Sequence, residues 1–182
     1  NPLHRIMYLW NGGDSRISAD ITSYMNGFQD PRRSKYFTQT TFDLDDNVDQ
    51  NGYFGLRSGI MIPAAQEAQK YSNYNCAPST PMLWMNAAEV AFLKAEGKLR
   101  GWNTGSENAQ AYYQKGVELS FEEWGADGVD NYLSDNTNTP MQYIDPMGKN
   151  TYNGNISDIT VAWDESADFE ENLERIITQK WI

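Results

Sequence analysis

The chain has 182 residues, 40% hydrophobic and 21% charged, enough for one globular domain with a buried core. Its 14 Lys and Arg against 25 Asp and Glu leave a net charge of −11, which disfavours nucleic acid and anionic lipid surfaces as partners, because both reward basic patches. No apolar stretch approaches the roughly 20 residues of a membrane-spanning helix, and the single Cys76 excludes an intrachain disulfide or a cysteine-rich metal site.

In chain order, Ile6, Tyr8 and Trp10 alternate as in a strand, and Asn11-Gly-Gly-Asp14 follows as a turn. Ser18 is placed to cap a short helix over residues 19–26 that Gly27 ends. Asp30-Pro-Arg32 reads as extended or turn chain, since proline restricts the residue before it. Asp43-Leu-Asp-Asp-Asn-Val-Asp49 opens like a calcium loop. An EF-hand needs Gly at its sixth position and Glu at its twelfth, where this chain has Val48 and Phe54. The stretch is therefore read as a solvated acidic loop, and no metal or cofactor is expected. The glycines of Tyr53-Phe-Gly-Leu-Arg-Ser-Gly59 predict a short strand or bend where the backbone closely approaches something. Residues 64–71 allow one or two helical turns, and 72–80 form a loop by composition.

Two amphipathic helices dominate the middle of the chain. The first is predicted over residues 82–100, with Ala87, Ala91 and Ala95 on one face, Ala88, Phe92 and Leu99 beside them, and Gly101 as its stop. The second starts at a Ser106 cap and carries Tyr113, Gly116, Val117, Ser120, Phe121 and Trp124 at steps of three and four until Gly125. A loop this short makes the pair antiparallel. Trp84, Phe92, Tyr113, Val117, Phe121 and Trp124 are the expected core, with Trp102 as a lid over it. Residues 127–155 are polar and aperiodic, which predicts surface loops. Ser166 is the expected cap of a last helix whose Phe169, Leu173, Ile176, Ile177 and Trp181 form an apolar stripe. The fold class is mainly α: a tetratricopeptide-type helix pair with long irregular loops.

Catalytic constellations are thin. The only histidine, His4, has no evident Ser or Cys partner, and the glycines fit no phosphate-binding spacing. Carboxylates at helical spacing, Glu89 with Glu96 and Glu118 with Glu122, read as solvated faces or as partners of Lys94, Lys98 and Lys115. A hydrolase using paired carboxylates across a cleft stays open as the enzymatic alternative, and a scaffold that binds only protein as a third.

Ala88-Glu-Val-Ala-Phe-Leu-Lys-Ala-Glu96, Tyr112-Tyr-Gln-Lys-Gly-Val-Glu-Leu-Ser-Phe121 and Ile177-Thr-Gln-Lys-Trp-Ile182 resemble the SusD/RagB family of Bacteroidetes outer-membrane lipoproteins. Asp30-Pro-Arg32 and Tyr53-Phe-Gly-Leu-Arg-Ser-Gly59 match further recurrent stretches of it, so the resemblance runs from about Asp30 to the end. It implies a structural role for Asp30 and Arg32. It implies, further, capture of an oligosaccharide or other nutrient at the cell surface and delivery to a TonB-dependent outer-membrane transporter, with no enzymatic step. Peptide-binding members leave the nutrient class open. On this reading residues 1–182 are a single fragment of a SusD-like protein, lacking an N-terminal half that bears the lipid anchor and a C-terminal tail.

The family offers no invariant ligand motif. Candidate binding residues are aromatics in loops beside amide or charged groups: Trp10 with Asn11 (and Asp14), Tyr53 with Arg57, and Tyr71 and Tyr74 beside Asn73 and Asn75. Such side chains pair a flat apolar face for a sugar ring with polar neighbours for its hydroxyls.

Overall fold

The computed structural model describes residues 1–13, 15–42, 52–61, 64–154 and 156–182. The acidic loop 43–49 and Asp14 lie outside the described residues. Among those described, regular structure is helical, with only isolated β-bridges and no extended strand. The chain divides into two compact units. One comprises Asn1–Gly27, Arg33–Met82 and Pro140–Ile156; the other comprises Phe28–Arg32, Leu83–Thr139 and Ser157–Ile182.

The first unit opens with α1 (Pro2–His4), which runs directly into a π-helical turn, Arg5–Leu9, and a 3-10 turn, Trp10–Gly12. The strand expected over Ile6, Tyr8 and Trp10 is thus a helix. Asn1 caps it by accepting from the Leu3 amide, and Pro2 sits in its first turn, where a missing N–H costs nothing. The alternation misled because it marks no buried face: Ile6 and Trp10 are both exposed. The remaining helices here are α2 (Ala19–Gly27), α3 (Arg33–Tyr36) and α4 (Ala65–Ala68). Ser18 acts as expected at the start of α2, its hydroxyl accepting from the Asp20 amide at 3.1 Å.

Side chains do much of the work of joining irregular chain in this unit. The anticipated close approach occurs at Gly55, where a Cβ would collide with the Ser18 carbonyl. Leu56 beside it pairs with the strand-like end of the preceding segment, donating to Ile17 at 2.9 Å and accepting from Ala19 at 2.8 Å. Thr22 accepts from the Gly55 amide, Ser72 from the Phe54 amide, and the Tyr143 hydroxyl donates to the Gly55 carbonyl. Buried polar groups thereby find partners that regular structure would otherwise provide.

The second unit is a helical hairpin with additions. α5 (Ala87–Leu99) packs on α6 (Ala109–Trp124) and on α8 (Phe169–Trp181), and α6 also meets α7 (Val129–Leu133). Phe92, Tyr113, Val117 and Phe121 are buried as expected, each contributing roughly 1.5–3 kcal/mol on transfer from water. Gly116 makes room for the Phe92 ring, which any Cβ there would strike. Gly125 ends α6 in the left-handed region, with the Ala126 amide bonded back to Phe121 and the Gly125 amide to Glu122.

Several helix starts differ from the sequence reading. α5 begins at Ala87 rather than 82, because the Asn86 side chain accepts from the Glu89 amide at 2.6 Å. Its apolar prefix stays outside the helix, and Trp84 is 89% exposed instead of buried. α6 and α8 are capped by Asn108 and Asp168, not Ser106 and Ser166. Ser166 is occupied elsewhere, donating to Asp164. Trp124 is only half-buried, and Trp102 is 63% exposed rather than a lid. The aperiodic stretch after residue 127 hides α7, whose single turn is too short to show a period.

α8 corrects the stripe reading most sharply. Phe169, Ile177 and Trp181 are exposed, while Asn172, Arg175, Ile176, Thr178 and Gln179 are buried. On this face Arg175 donates to Asn172 at 3.0 Å, and Gln179 accepts from Arg32 at 3.0 Å. The Arg32 guanidinium is fully buried and grips Asp30 bidentately, with Nη2 to Oδ2 at 2.6 Å and Nε to Oδ1 at 3.0 Å. It also donates to Ser120 of α6, to the Tyr132 hydroxyl of α7 and to Gln179 Oε1 of α8. The rings of Phe121 and Tyr132 lie 4.9 and 5.3 Å from it. Asp30-Pro-Arg32 therefore does pin irregular chain, and it ties that chain to three helices.

Candidate functional site

The six sequence candidates all fall in the first unit, and the structure separates them. Trp10 and Asn11 lie where the N-terminal helical segment is laced to the 72–80 loop. The Asn1 amine donates to the Pro78 carbonyl at 2.6 Å and its side-chain amide to Thr80 at 2.9 Å. The Tyr8 hydroxyl donates to the Tyr74 carbonyl at 2.6 Å, and Asn73 Nδ2 to the Met7 carbonyl at 3.0 Å. Beside this seam is a groove of about 510 Å³ lined by Asn1, His4, Arg5, Leu9, Trp10, Asn11 and Pro78. Trp10 is 69% exposed, so its indole face is available to a ring. Asn11 is one of two non-glycine residues with positive φ among those described, at 50°, a conformation asparagine tolerates better than most. The His4 ring stacks on Tyr8 at 4.9 Å. An apolar face surrounded by amide, imidazole and guanidinium groups suits a hydroxylated ligand.

Tyr74 is half-buried and takes part through its backbone. Burial, with Cys76 adding to it, pushes its phenol above the ordinary range. Burial likewise raises the Cys76 thiol, which fits an inert side chain rather than a nucleophile.

Arg57 belongs to a different cavity. Its guanidinium donates to the Asn150 carbonyl at 3.3 Å and sits 5.0 Å over the Tyr152 ring. With Asp20, Ser58, Tyr143 and Tyr152 it lines a space of about 330 Å³. Tyr152 was not singled out in the sequence, where the polar stretch around it gave no period to mark it. Tyr53 does not join that cavity. Its ring faces Arg33 at 6.0 Å, and its carbonyl accepts from Asn26 at 2.7 Å.

Tyr71 is a core residue. It is 6% exposed, packs edge-on to Phe42 at 4.8 Å and donates its hydroxyl to Asp145 at 2.7 Å. Asp145 accepts in addition from the Met147, Lys149 and Asn150 amides, so Tyr71 holds a loop rather than a ligand. Burial first, then the bond to Asp145, keeps its phenol far above the usual range and neutral. Of the six, Trp10 and Asn11 are brought together on an open groove, Arg57 lines a second one, and Tyr53, Tyr71 and Tyr74 are engaged in the fold.

Three of the four carboxylates of the enzymatic alternative are engaged in surface ion pairs. Glu96 meets Arg100 at 2.8 Å, Glu118 meets Lys115 at 3.2 Å, and Glu89 lies 3.9 Å from Lys180. No helix among the described residues is long and apolar enough to cross a membrane.

The family model described as SusD-like, the Susd and RagB outer membrane lipoproteins, matches residues 1–182. The chain belongs to the SusD/RagB family. It is 46% identical to a SusD homolog from Bacteroides uniformis, with a TM-score of 0.88, covering 100% of this chain and 37% of that one. It is 50% identical to a SusD homolog from Bacteroides thetaiotaomicron, with a TM-score of 0.83, over 91% of this chain and 34% of that one. It is 38% identical to a chitin-binding SusD homolog from Flavobacterium johnsoniae, with a TM-score of 0.80, over 100% and 36%. No match was found among the curated proteins. The SusD-like chain thus spans a little over a third of the length of these structures, and its mainly helical fold is the fold of SusD homologs.

Proposed function

We propose that this SusD-like chain is part of a non-enzymatic, lipid-anchored binding protein that captures oligosaccharide at the outer-membrane surface and delivers it to a TonB-dependent transporter. The observation that carries this reading is the match to the outer membrane lipoprotein family along all of residues 1–182. The likeness to a SusD homolog described as chitin-binding supports a glycan as the nutrient. The chain's own chemistry agrees. A net charge of −11 disfavours anionic ligands and is indifferent to neutral ones.

Within this chain the Trp10 groove is the primary ligand site: a sugar ring stacks on the indole, and Asn11 with Arg5 bonds its hydroxyls. Arg57 and Tyr152 form a lesser contact. Delivery to a transporter asks no chemical step of the protein. The test is incubation with a panel of neutral oligosaccharides while following both binding and new reducing ends. Binding without release is the expected result. Release of reducing ends overturns the reading in favour of a hydrolase.

A further inference from the structure

The second unit holds a cavity that the site above does not use. It measures about 620 Å³, inside the roughly 300–1,000 Å³ range of small-molecule sites. Three aromatic side chains line it: Trp102, Trp163 and Phe169. Trp102 is 63% exposed and Phe169 39%, so both present ring surface. Trp163 is anchored on the core, its ring 5.5 Å from the buried Tyr113. Its indole Nε1 is buried with no hydrogen-bond partner among the described residues, a condition that folded proteins seldom leave without reason.

The loop that presents Trp102 is tied down in four places. Its own amide donates to the Gly97 carbonyl at 2.8 Å, and Thr104 Oγ1 to the Lys94 carbonyl at 3.1 Å. Lys98 Nζ donates to the Gly105 carbonyl at 2.8 Å, and the Tyr112 hydroxyl to the Thr104 carbonyl at 3.2 Å. A surface so constrained has little freedom left to lose when a ligand arrives.

The polar lining selects the ligand class. Gln110 contributes an amide, which pairs with hydroxyls as donor and acceptor at once, and Asn108 offers its Nδ2, its Oδ1 capping α6. Glu165 and Asp168 outnumber Lys98, and the lysine ammonium is already on Gly105. Anions are therefore disfavoured. A lipid chain is disfavoured too, because it would strip water from these groups without bonding them. We infer that this cavity is a second binding site, taking a short neutral saccharide stacked on Trp102. The inference shares its ligand class with the function proposed above and rests on that reading to that extent.

The six tryptophans give separate indole N–H signals, assigned by single Trp→Phe variants, for titration with chitotriose, maltotriose and xylotriose. At least one trisaccharide should move the Trp102 and Trp163 signals, and should still do so in Trp10→Ala. Trp102→Ala should weaken the response at Trp163 several-fold while leaving its free position native, which reports an intact fold. Movement at Trp10 alone overturns this inference and leaves the proposed function standing. A Trp163 response undiminished in Trp102→Ala overturns it as well. Silence at every indole with all three sugars overturns both.

Discussion

The two compact units reach a buried core by opposite routes. In the second, helices of 13, 16 and 13 residues satisfy most backbone groups internally, and the buried Arg32 joins side chains of α6, α7 and α8. In the first, helices are short and the backbone is joined by scattered side chains, among them Thr22, Ser72, Asn73, Tyr143 and Asp145. The difference shows where each unit is vulnerable. A network focused on one residue fails at that residue, whereas a dispersed one loses a little at each.

Arg32→Ala is the largest expected break. It leaves Asp30 buried without its partner, which should cost about 3–5 kcal/mol and appear as a lowered urea midpoint. A loss below about 1 kcal/mol would contradict the role given to this network. In the first unit Tyr71→Phe removes one donor from Asp145, which keeps three backbone amides. The expected loss is about 1.5–3 kcal/mol, the range for one hydrogen bond to a charged group. A loss equal to that of Arg32→Ala would erase the contrast between the units. Asn86→Ala should cost about 1 kcal/mol, as cap removal does, confirming that α5 starts at Ala87.

Titration touches both units. Burial is the main cause raising the phenols of Tyr71 and Tyr143 in the first and of Tyr113 and Tyr132 in the second. The fold holds their neutral forms. Their contribution to stability is whole below the ordinary tyrosine pKa of about 10 and is lost as pH rises beyond it. Asp135 behaves the other way. Burial works to raise it, but bonds from Asn138 and Thr137 prevail and hold it low. Its smaller contribution is present above the ordinary carboxylate range, about 3.9, and is lost as pH falls through the depressed value. Urea midpoints against pH should therefore decline at both extremes, more steeply on the alkaline side.

The sequence announced these units unequally. The stripes of α5 and α6 and the glycine that ends α6 are periodic, local signals, and Phe92, Tyr113, Val117 and Phe121 are readable from them. Asp30-Pro-Arg32 was readable as structural only through the family resemblance, since nothing local reveals partners 88 to 147 residues away. In α8 the stripe marks Ile176 rightly, but Gln179, which accepts from Arg32, and Arg175 with Asn172 give the buried face polar members that no apolar period reveals. Trp84 failed because the Asn86 cap cut the apolar run out of the helix. The N-terminal strand failed because three alternating residues cannot distinguish a strand from a helix with little buried surface.

The candidate site was less legible still. Loop aromatics beside amides is a pattern that core residues also satisfy, and Tyr71, engaged with Asp145, met it as well as Trp10 did. Only exposure separates them. Trp102 was set aside for a position over the core that its loop does not give it.

Calorimetric titration of Trp10→Ala tests the central claim most directly, using an oligosaccharide that the unmodified protein binds. Stacking on one aromatic contributes on the order of 1 kcal/mol, so affinity should fall several-fold while the urea midpoint stays at its native value, since the indole is mostly exposed. Unchanged affinity with an intact fold would contradict the account and remove the Trp10 groove from the ligand site.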